Sequence, residues 1–84
     1  MNSRHRKTLA AIFDDPANGN LEWRPIETLL VAVGCRVVEG KGSSVTFEKD
    51  GLRATFHRPH PDKAALRYRV LAAREFLTRL GVKP

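Results

Sequence analysis

The sequence predicts an α+β protein in which helices pack on one face of a three-stranded antiparallel sheet. Apolar residues recur at helical spacing in the N-terminal part of the chain and again near its C-terminus. Between these segments apolar and polar residues alternate, which is the period of half-buried strands. Asp50-Gly51 divides the alternating region and strongly favours a two-residue hairpin. Because each strand has a single apolar face, both flanking helices are expected to cover that face.

The chain length predicts a single domain, 1–84, since 84 residues are enough for one core. Residues 1–20 are expected to form an appended helix and loop, and residues 21–84 the main part of the domain. Ser3 is expected to cap the first helix, which should end near Phe13.

A second helix is expected from about Pro25 to Gly34, because proline suits the first turn of a helix and glycine favours its end. From Cys35 onward the period changes to two, and three strands in a meander are expected. Cys35 is the only cysteine and lies beside apolar strand residues. We therefore interpret it as a buried small hydrophobe and not as a nucleophile.

The final helix is expected after Pro59 and Pro61, where the helical period returns. Its start is left open between Asp62 and Arg69, and Gly81 marks its end. The expected apolar stripe of this helix consists of Leu66, Val70, Ala73, Leu77 and Leu80.

The charge balance favours a polyanionic partner. Fifteen Lys and Arg residues against nine Asp and Glu give a formal charge of +6, which attracts nucleic acid or an anionic membrane. No apolar run approaches the ~18 residues of a membrane span, and no apolar signal core follows the basic N-terminus. With a lone cysteine, these features predict a cytoplasmic protein without a membrane partner.

One face of the predicted sheet carries the polar groups that suit RNA. If Val45, Phe47 and Phe56 point into the core, alternation turns their neighbours to the opposite face. Those neighbours are Ser44, Thr46, Arg53, Thr55 and His57. Hydroxyls and a guanidinium bind the phosphates and 2′-hydroxyls of an RNA backbone, although an ordinary solvated sheet face has the same composition.

The turn from Gly40 to Ser43 contains two glycines around Lys41. Such a turn is either an anion-binding nest of backbone N–H groups or a plain hairpin turn. Its spacing is not that of a nucleotide-binding phosphate loop. Lys41 and Ser43 are candidate RNA contacts in either case.

Two histidines, His57 and His60, flank Arg58-Pro59 at the end of the third predicted strand. Two imidazoles beside a basic patch suit RNA cleavage without a metal, because one can activate the 2′-hydroxyl while the other protonates the leaving 5′-oxygen. A zinc site needs about four ligands, and only Cys35 would be available to join them. No metal and no other cofactor is therefore expected.

The stretch from about Trp23 to Lys83 resembles the HicA toxins of bacterial toxin–antitoxin modules. The matching features are the Leu29-Leu30 helix ending at Gly34, the Gly-x-Gly-Ser turn from Gly40 to Ser43, Phe47, Pro59-His60 and the ending Phe76-Leu77 to Gly81-Val82. The resemblance implies a double-stranded-RNA-binding-domain-like α-β-β-β-α fold, cleavage of mRNA, and a HicB-type antitoxin that covers the active face.

The chain departs from the family pattern at one informative position. The pattern Gly-Ser-His-x-x-Phe has a histidine taken as catalytic, and Ser44 stands at that position here. A serine hydroxyl does not replace imidazole as a proton shuttle near neutral pH. Either His57 or His60 supplies the chemistry, or the protein binds RNA without cutting it.

The leading hypothesis is a HicA-like endoribonuclease toxin that acts on mRNA without a metal. His57 and His60 are its candidate acid and base, and the candidate RNA-binding residues are Lys41, Ser43, Ser44, Thr46, Arg53 and Arg58. Two alternatives remain at this point: a non-catalytic RNA-binding module, and a module whose open face only docks an antitoxin-like chain.

Overall fold

The computed structural model describes residues 1–60 and 63–84, so the expected break at Pro61 and the candidate helix start at Asp62 lie outside the described residues. The elements are α1 (Ser3–Ile12), α2 (Trp23–Ala32), β1 (Arg36–Glu39), β2 (Ser44–Lys49), β3 (Leu52–His57) and α3 (Arg67–Arg79). This order confirms the predicted α+β class with an extra N-terminal helix. From α2 onward it is consistent with the double-stranded-RNA-binding-domain-like arrangement.

The three strands form one antiparallel sheet in the order β1-β2-β3. Lys49 pairs with Leu52 across the two-residue turn. Asp50 and Gly51 in that turn have φ angles of 53° and 79°. A turn with two left-handed residues matches the right-handed twist of the strands, so the predicted hairpin is confirmed.

The apolar face of the sheet is covered by aromatic and aliphatic side chains of the helices. Val45, Phe47 and Phe56 are buried, as the alternating pattern predicts. Trp23 at the start of α2 lies with its ring centroid 5.1 Å from that of Phe56 and 6.5 Å from that of Phe47. Val70 of α3 belongs to the same buried cluster. The opposite face of the sheet is therefore left to solvent.

Helix α1 begins one residue earlier than expected. The cap is Asn2, whose Oδ1 accepts the backbone N–H of His5 at 2.9 Å, while Ser3 is the first helical residue. The assignment of Ser3 as the cap was wrong because Asn2 is an equally good capping residue one position upstream. Arg74 of α3 donates from Nε to the Ile12 carbonyl at 2.8 Å, which ties the end of α1 to α3.

Helix α3 begins at Arg67, inside the predicted range, but Leu66 is not part of its buried stripe. Leu66 precedes the helix with a φ of 72° and is 51% exposed. Its N–H donates to the Gly19 carbonyl at 3.0 Å, so pairing with the α1–α2 loop fixes its backbone and turns its side chain outward. Phe76 joins the buried face instead.

Candidate functional site

The predicted polar groups share the open face of the sheet. Thr55 and His57 are exposed, and Ser44 and Thr46 are half-buried beside the buried residues with which they alternate. Thr46 pairs with Thr55, and their Oγ1 atoms are 2.7 Å apart. Arg53 lies on the same face opposite Glu48. The predicted placement of these side chains on one open face of the sheet is therefore confirmed.

His57 lies directly across the β2–β3 ladder from Ser44. The Arg58 N–H donates to the Ser43 carbonyl at 2.9 Å, which makes 43 and 58 a hydrogen-bonded pair. The next pair, Ser44 and His57, is then of the non-hydrogen-bonded kind, in which Cα atoms are only about 4.5 Å apart and side chains are closest. The His57 imidazole therefore projects from the same patch of sheet as the Ser44 side chain.

The candidate loop residues gather at this end of the sheet. The turn from Gly40 to Ser43 leads into β2 where β3 ends at His57, so Lys41 and Ser43 lie near the start of the Arg58–His60 segment. Lys41, Ser43 and His60 are all exposed. The structure thus brings His57 and the glycine turn to one end of the sheet, and His60 follows three residues later in the chain.

The turn itself has the geometry of a hairpin connection. The Gly40 N–H donates to the Ser44 carbonyl at 2.9 Å, and the Ser44 N–H donates to the Lys41 carbonyl at 3.1 Å. A Cβ at Gly40 would come within 2.9 Å of the Ser44 Oγ, so this position needs glycine for close approach. The Gly40 amide is thus used in closing the hairpin and is not available to an anion.

Arg69 of α3 fixes the backbone at the end of β3. Its Nε donates to the His57 carbonyl at 2.8 Å, and its Nη1 donates to the Ala65 carbonyl at 3.1 Å. Its guanidinium also lies 4.7 Å from the centroid of the Tyr68 ring. This arginine therefore connects α3 to the residue that carries the candidate catalytic imidazole.

Arg58 is separated from the open face and held by two carboxylates. Its Nε and Nη2 donate to Glu27 of α2, both at 2.9 Å, and its Nη1 and Nη2 donate to Glu39 of β1 at 2.6 and 2.9 Å. Glu27 also accepts the Trp23 indole N–H at 2.9 Å. These bonds raise the pKa of Arg58 and lower that of Glu39. Arg58 thus joins α2, β1 and the segment after β3.

A second ion cluster lies on the open face itself. Glu48 contacts Arg36 of β1, and its Oε2 lies 3.1 Å from the Nε of Arg53. The hydrogen bond from Arg36 lowers the pKa of Glu48. The Arg53 side chain is still 64% exposed, so its charge remains presented to solvent.

The two lowered carboxyl pKa values predict a loss of stability in acid. Glu39 and Glu48 have folded-state pKa values below the ordinary 4.5, so their contribution is complete above that pH and disappears as the pH falls through the lowered values. Urea unfolding between pH 6 and pH 3 should show a falling free energy of unfolding, with a shallower fall for the double variant E39Q/E48Q. Superimposable pH profiles of the two proteins would contradict this linkage.

Cys35 and the carboxylates of the described residues form no group that could hold a metal ion. Among residues 1–60 and 63–84, no three His, Cys, Asp or Glu side chains are grouped closely enough to hold a metal ion. Cys35 is buried, as predicted, and burial raises the pKa of its thiol. No helix in the part of the chain described is long and apolar enough to span a membrane.

Sequence reasoning missed three residues that organise this edge: Glu27, Glu39 and Arg69. Glu27 is 31 residues from Arg58 in sequence, and Arg69 is 12 residues from His57. No local motif connects such positions. Alternation does place Glu39 on the helix-covered side of β1, and a carboxylate on that side is the one sequence signal for a cationic partner there.

The fold, together with the residues at the end of the sheet where β2 begins and β3 ends, defines a class of small basic α+β proteins with a polar, cationic sheet face. Residues 23–81 match the model of the family described as the HicA toxin of bacterial toxin–antitoxin systems. The match covers well over half of the chain, and the chain therefore belongs to the HicA toxin family. Membership implies an antitoxin partner. Comparisons with curated proteins and with solved structures gave no match.

Proposed function

We propose that this chain is a cytoplasmic toxin that binds mRNA on its open sheet face and cleaves it without a metal. One observation carries the proposal: His57 pairs across the ladder with Ser44. By the resemblance drawn from the sequence, Ser44 stands where the family pattern has its histidine. An imidazole on β3 can reach the patch of surface that an imidazole on β2 would occupy. In this proposal the acid–base chemistry of the family is retained, although the imidazole is on β3 and not on β2.

The proposed reaction is a transesterification within the RNA. A neutral imidazole accepts the proton of the 2′-hydroxyl, and the 2′-oxygen attacks the adjacent phosphorus. The bond from phosphorus to the 5′-oxygen breaks, and that oxygen takes a proton from a second acid. The products are a 2′,3′-cyclic phosphate and a free 5′-hydroxyl. We assign His57 to one proton transfer and His60, three residues further along the chain, to the other.

The remaining residues of the site bind or position. Arg53 is exposed and cationic, which suits stabilisation of the charge that develops on the phosphoryl oxygens. Lys41, Ser43, Ser44 and Thr46 offer charge and hydroxyl groups to neighbouring phosphates and 2′-hydroxyls. Arg58 is engaged by two carboxylates, so in this proposal it holds the segment between the two histidines and does not itself bind phosphate.

The open face is also where we expect the antitoxin. A HicB-like partner that covers His57 and Arg53 would exclude RNA from the site. The cationic character of this face favours a partner surface with exposed carboxylates, since charge complementarity steers such complexes together. Inhibition then follows from occlusion.

A non-catalytic function is the second candidate, and the specific observation in its favour is Ser44. If an imidazole at that position is indispensable, the chain binds RNA or an antitoxin and does not turn RNA over. The fold and the polar face suit that function equally well.

Incubating the purified protein with single-stranded RNA in EDTA tests the proposal. We expect cleavage, with 2′,3′-cyclic phosphate and 5′-hydroxyl ends identified by mass spectrometry of the fragments. A substrate with 2′-O-methyl groups should resist cleavage because the attacking hydroxyl is blocked. Retardation of the RNA without fragments would select the binding module, and tight capture of an antitoxin without any RNA retardation would select the docking module.

A further inference from the structure

Helix α1, which lies outside the residues that match the family, borders a cationic cleft. Arg4 and Lys7 of α1 line one wall of it, and Arg24 at the start of α2 lines the other. The cleft has a volume of about 380 Å³ and includes a single carboxylate, Glu22. Three cations and one carboxylate give the lining a net charge of +2.

The cations of this cleft differ from the arginines that connect elements of the fold. Five arginines, among them Arg58 and Arg74, are engaged by carboxylates or backbone carbonyls. Within residues 1–60 and 63–84, no carboxylate oxygen lies within 4.0 Å of the charged groups of Arg4, Lys7 or Arg24. Their charge is available to an external anion.

The cleft continues towards the candidate catalytic edge. A second cleft, of about 220 Å³, is lined by Trp23, Arg24, Glu27, Thr28, Arg58 and Pro59. The two clefts share Arg24 and Thr28, so they adjoin each other at the start of α2. Pro59 lies between the two candidate histidines in sequence. The adjoining clefts therefore connect the segment that carries the histidines to α1, and Arg24 is the cation at their junction.

The hydroxyl protons of Thr8 and Thr28 are already donated to backbone carbonyls, so the cations are the groups that can donate to a phosphate. Thr8 donates to the Arg4 carbonyl at 3.1 Å, and Thr28 donates to the Arg24 carbonyl at 3.0 Å. Recognition by charge alone suits the phosphates of a backbone and carries no base information. An RNA strand fits this chemistry better than a small anion, since the cations are spread along a groove.

We propose that the cleft formed by Arg4, Lys7 and Arg24 is a second RNA-backbone site. Through this site, α1 binds the RNA strand outside the region where the strand is cleaved. The inference rests on the proposed function for the identity of the ligand. It assigns to α1 a role in holding the substrate strand that is separate from its packing through Leu9 and Ile12.

The test compares two double variants that remove the same charge from opposite sides of α1. R4Q/K7Q alters the cleft, whereas R6Q/K83Q alters a separate recess that Arg6 and Lys83 line together. The probe is a single-stranded 2′-O-methyl RNA, and its affinity is measured by fluorescence anisotropy over a series of salt concentrations. Circular dichroism melting verifies that both variants remain folded.

For R4Q/K7Q we expect affinity at low salt to fall about tenfold, and the slope of log affinity against log salt to decrease by about 1.4, which is about 0.7 for each lost phosphate contact. With cleavable RNA, KM should rise at unchanged kcat because the cleft is remote from the reacting phosphate. R6Q/K83Q should change affinity less than about threefold, by long-range charge alone.

Two outcomes would overturn the inference. If wild type binds or cleaves RNA and the two double variants lose affinity equally, the cleft is not a site, while the proposed function stands. If wild type neither binds nor cleaves RNA at low salt, the proposed function fails and the inference fails with it.

Discussion

Replacing His57 by alanine is expected to reduce the RNA cleavage rate by about 10²- to 10⁴-fold, which is the usual contribution of a positioned acid or base. The imidazole is the group that exchanges a proton in this mechanism, and Ser44 across the ladder cannot take over that task. Single-turnover cleavage at saturating protein concentration measures this effect free of any change in affinity.

Two companion measurements separate chemistry from binding at this position. H57N keeps a polar side chain of similar shape but no titratable proton, so it should lose as much activity as H57A. The affinity of both variants for 2′-O-methyl RNA should stay within a few-fold of wild type, because His57 contributes little to phosphate binding. Cleavage by H57A at the wild-type rate would remove this histidine from the mechanism.

Replacing Arg58 by methionine is expected to lower the free energy of unfolding by about 1–3 kcal/mol, the cost of leaving charged hydrogen-bonding groups without a partner. Arg58 and Glu27 are both largely shielded from solvent, with 28% and 26% of their side chains exposed. Methionine keeps much of the length of the side chain, so the loss reports on the ion pair more than on packing. Urea unfolding at neutral pH measures it.

Two control variants show whether the Arg58 effect arises from the stranded carboxylate. R36M removes an exposed arginine that also pairs with a glutamate, and it should cost less than about 1 kcal/mol. E27Q introduced into R58M removes the unpaired charge and still offers a carbonyl oxygen to the Trp23 indole, so it should restore part of the loss. Equal costs for R58M and R36M would show that the network adds nothing to an ordinary surface pair.

Much of the fold could be predicted because it depends on local patterns. Period-two alternation identified the buried Val45, Phe47 and Phe56, and therefore also the polar residues that face solvent. The Asp50-Gly51 turn set the β2–β3 register, and that register determines which residues face each other. The Ser44–His57 pairing follows from these two facts alone, so the central feature of the candidate site was available from the sequence.

The remaining features depend on contacts between distant parts of the chain. Arg58 was predicted to bind RNA, because no local pattern shows that Glu27 and Glu39 both bind its guanidinium. Leu66 fitted a helical stripe, but its backbone pairs with the α1–α2 loop and leaves the helix. In both cases tertiary hydrogen bonds determined the environment of the residue.

The cleft beside α1 was equally inaccessible to sequence reasoning. Arg4 and Lys7 precede Arg24 by 17 residues or more, and no local pattern connects them. Only the packing of α1 against α2 brings these cations to one groove. Helix α1 is thus the element whose proposed role differs most from the sequence prediction: an appended helix was expected, and the structure adds a cationic cleft beside it.

The most direct test of the central claim is the cleavage rate of S44H/H57A, compared with that of H57A alone. If His57 does on β3 what the family histidine does on β2, an imidazole at position 44 occupies the facing position of the same cross-strand pair and should restore at least a tenth of wild-type activity. S44H/H57A that stays as inactive as H57A, beside a wild type that cuts RNA in EDTA, would contradict the account.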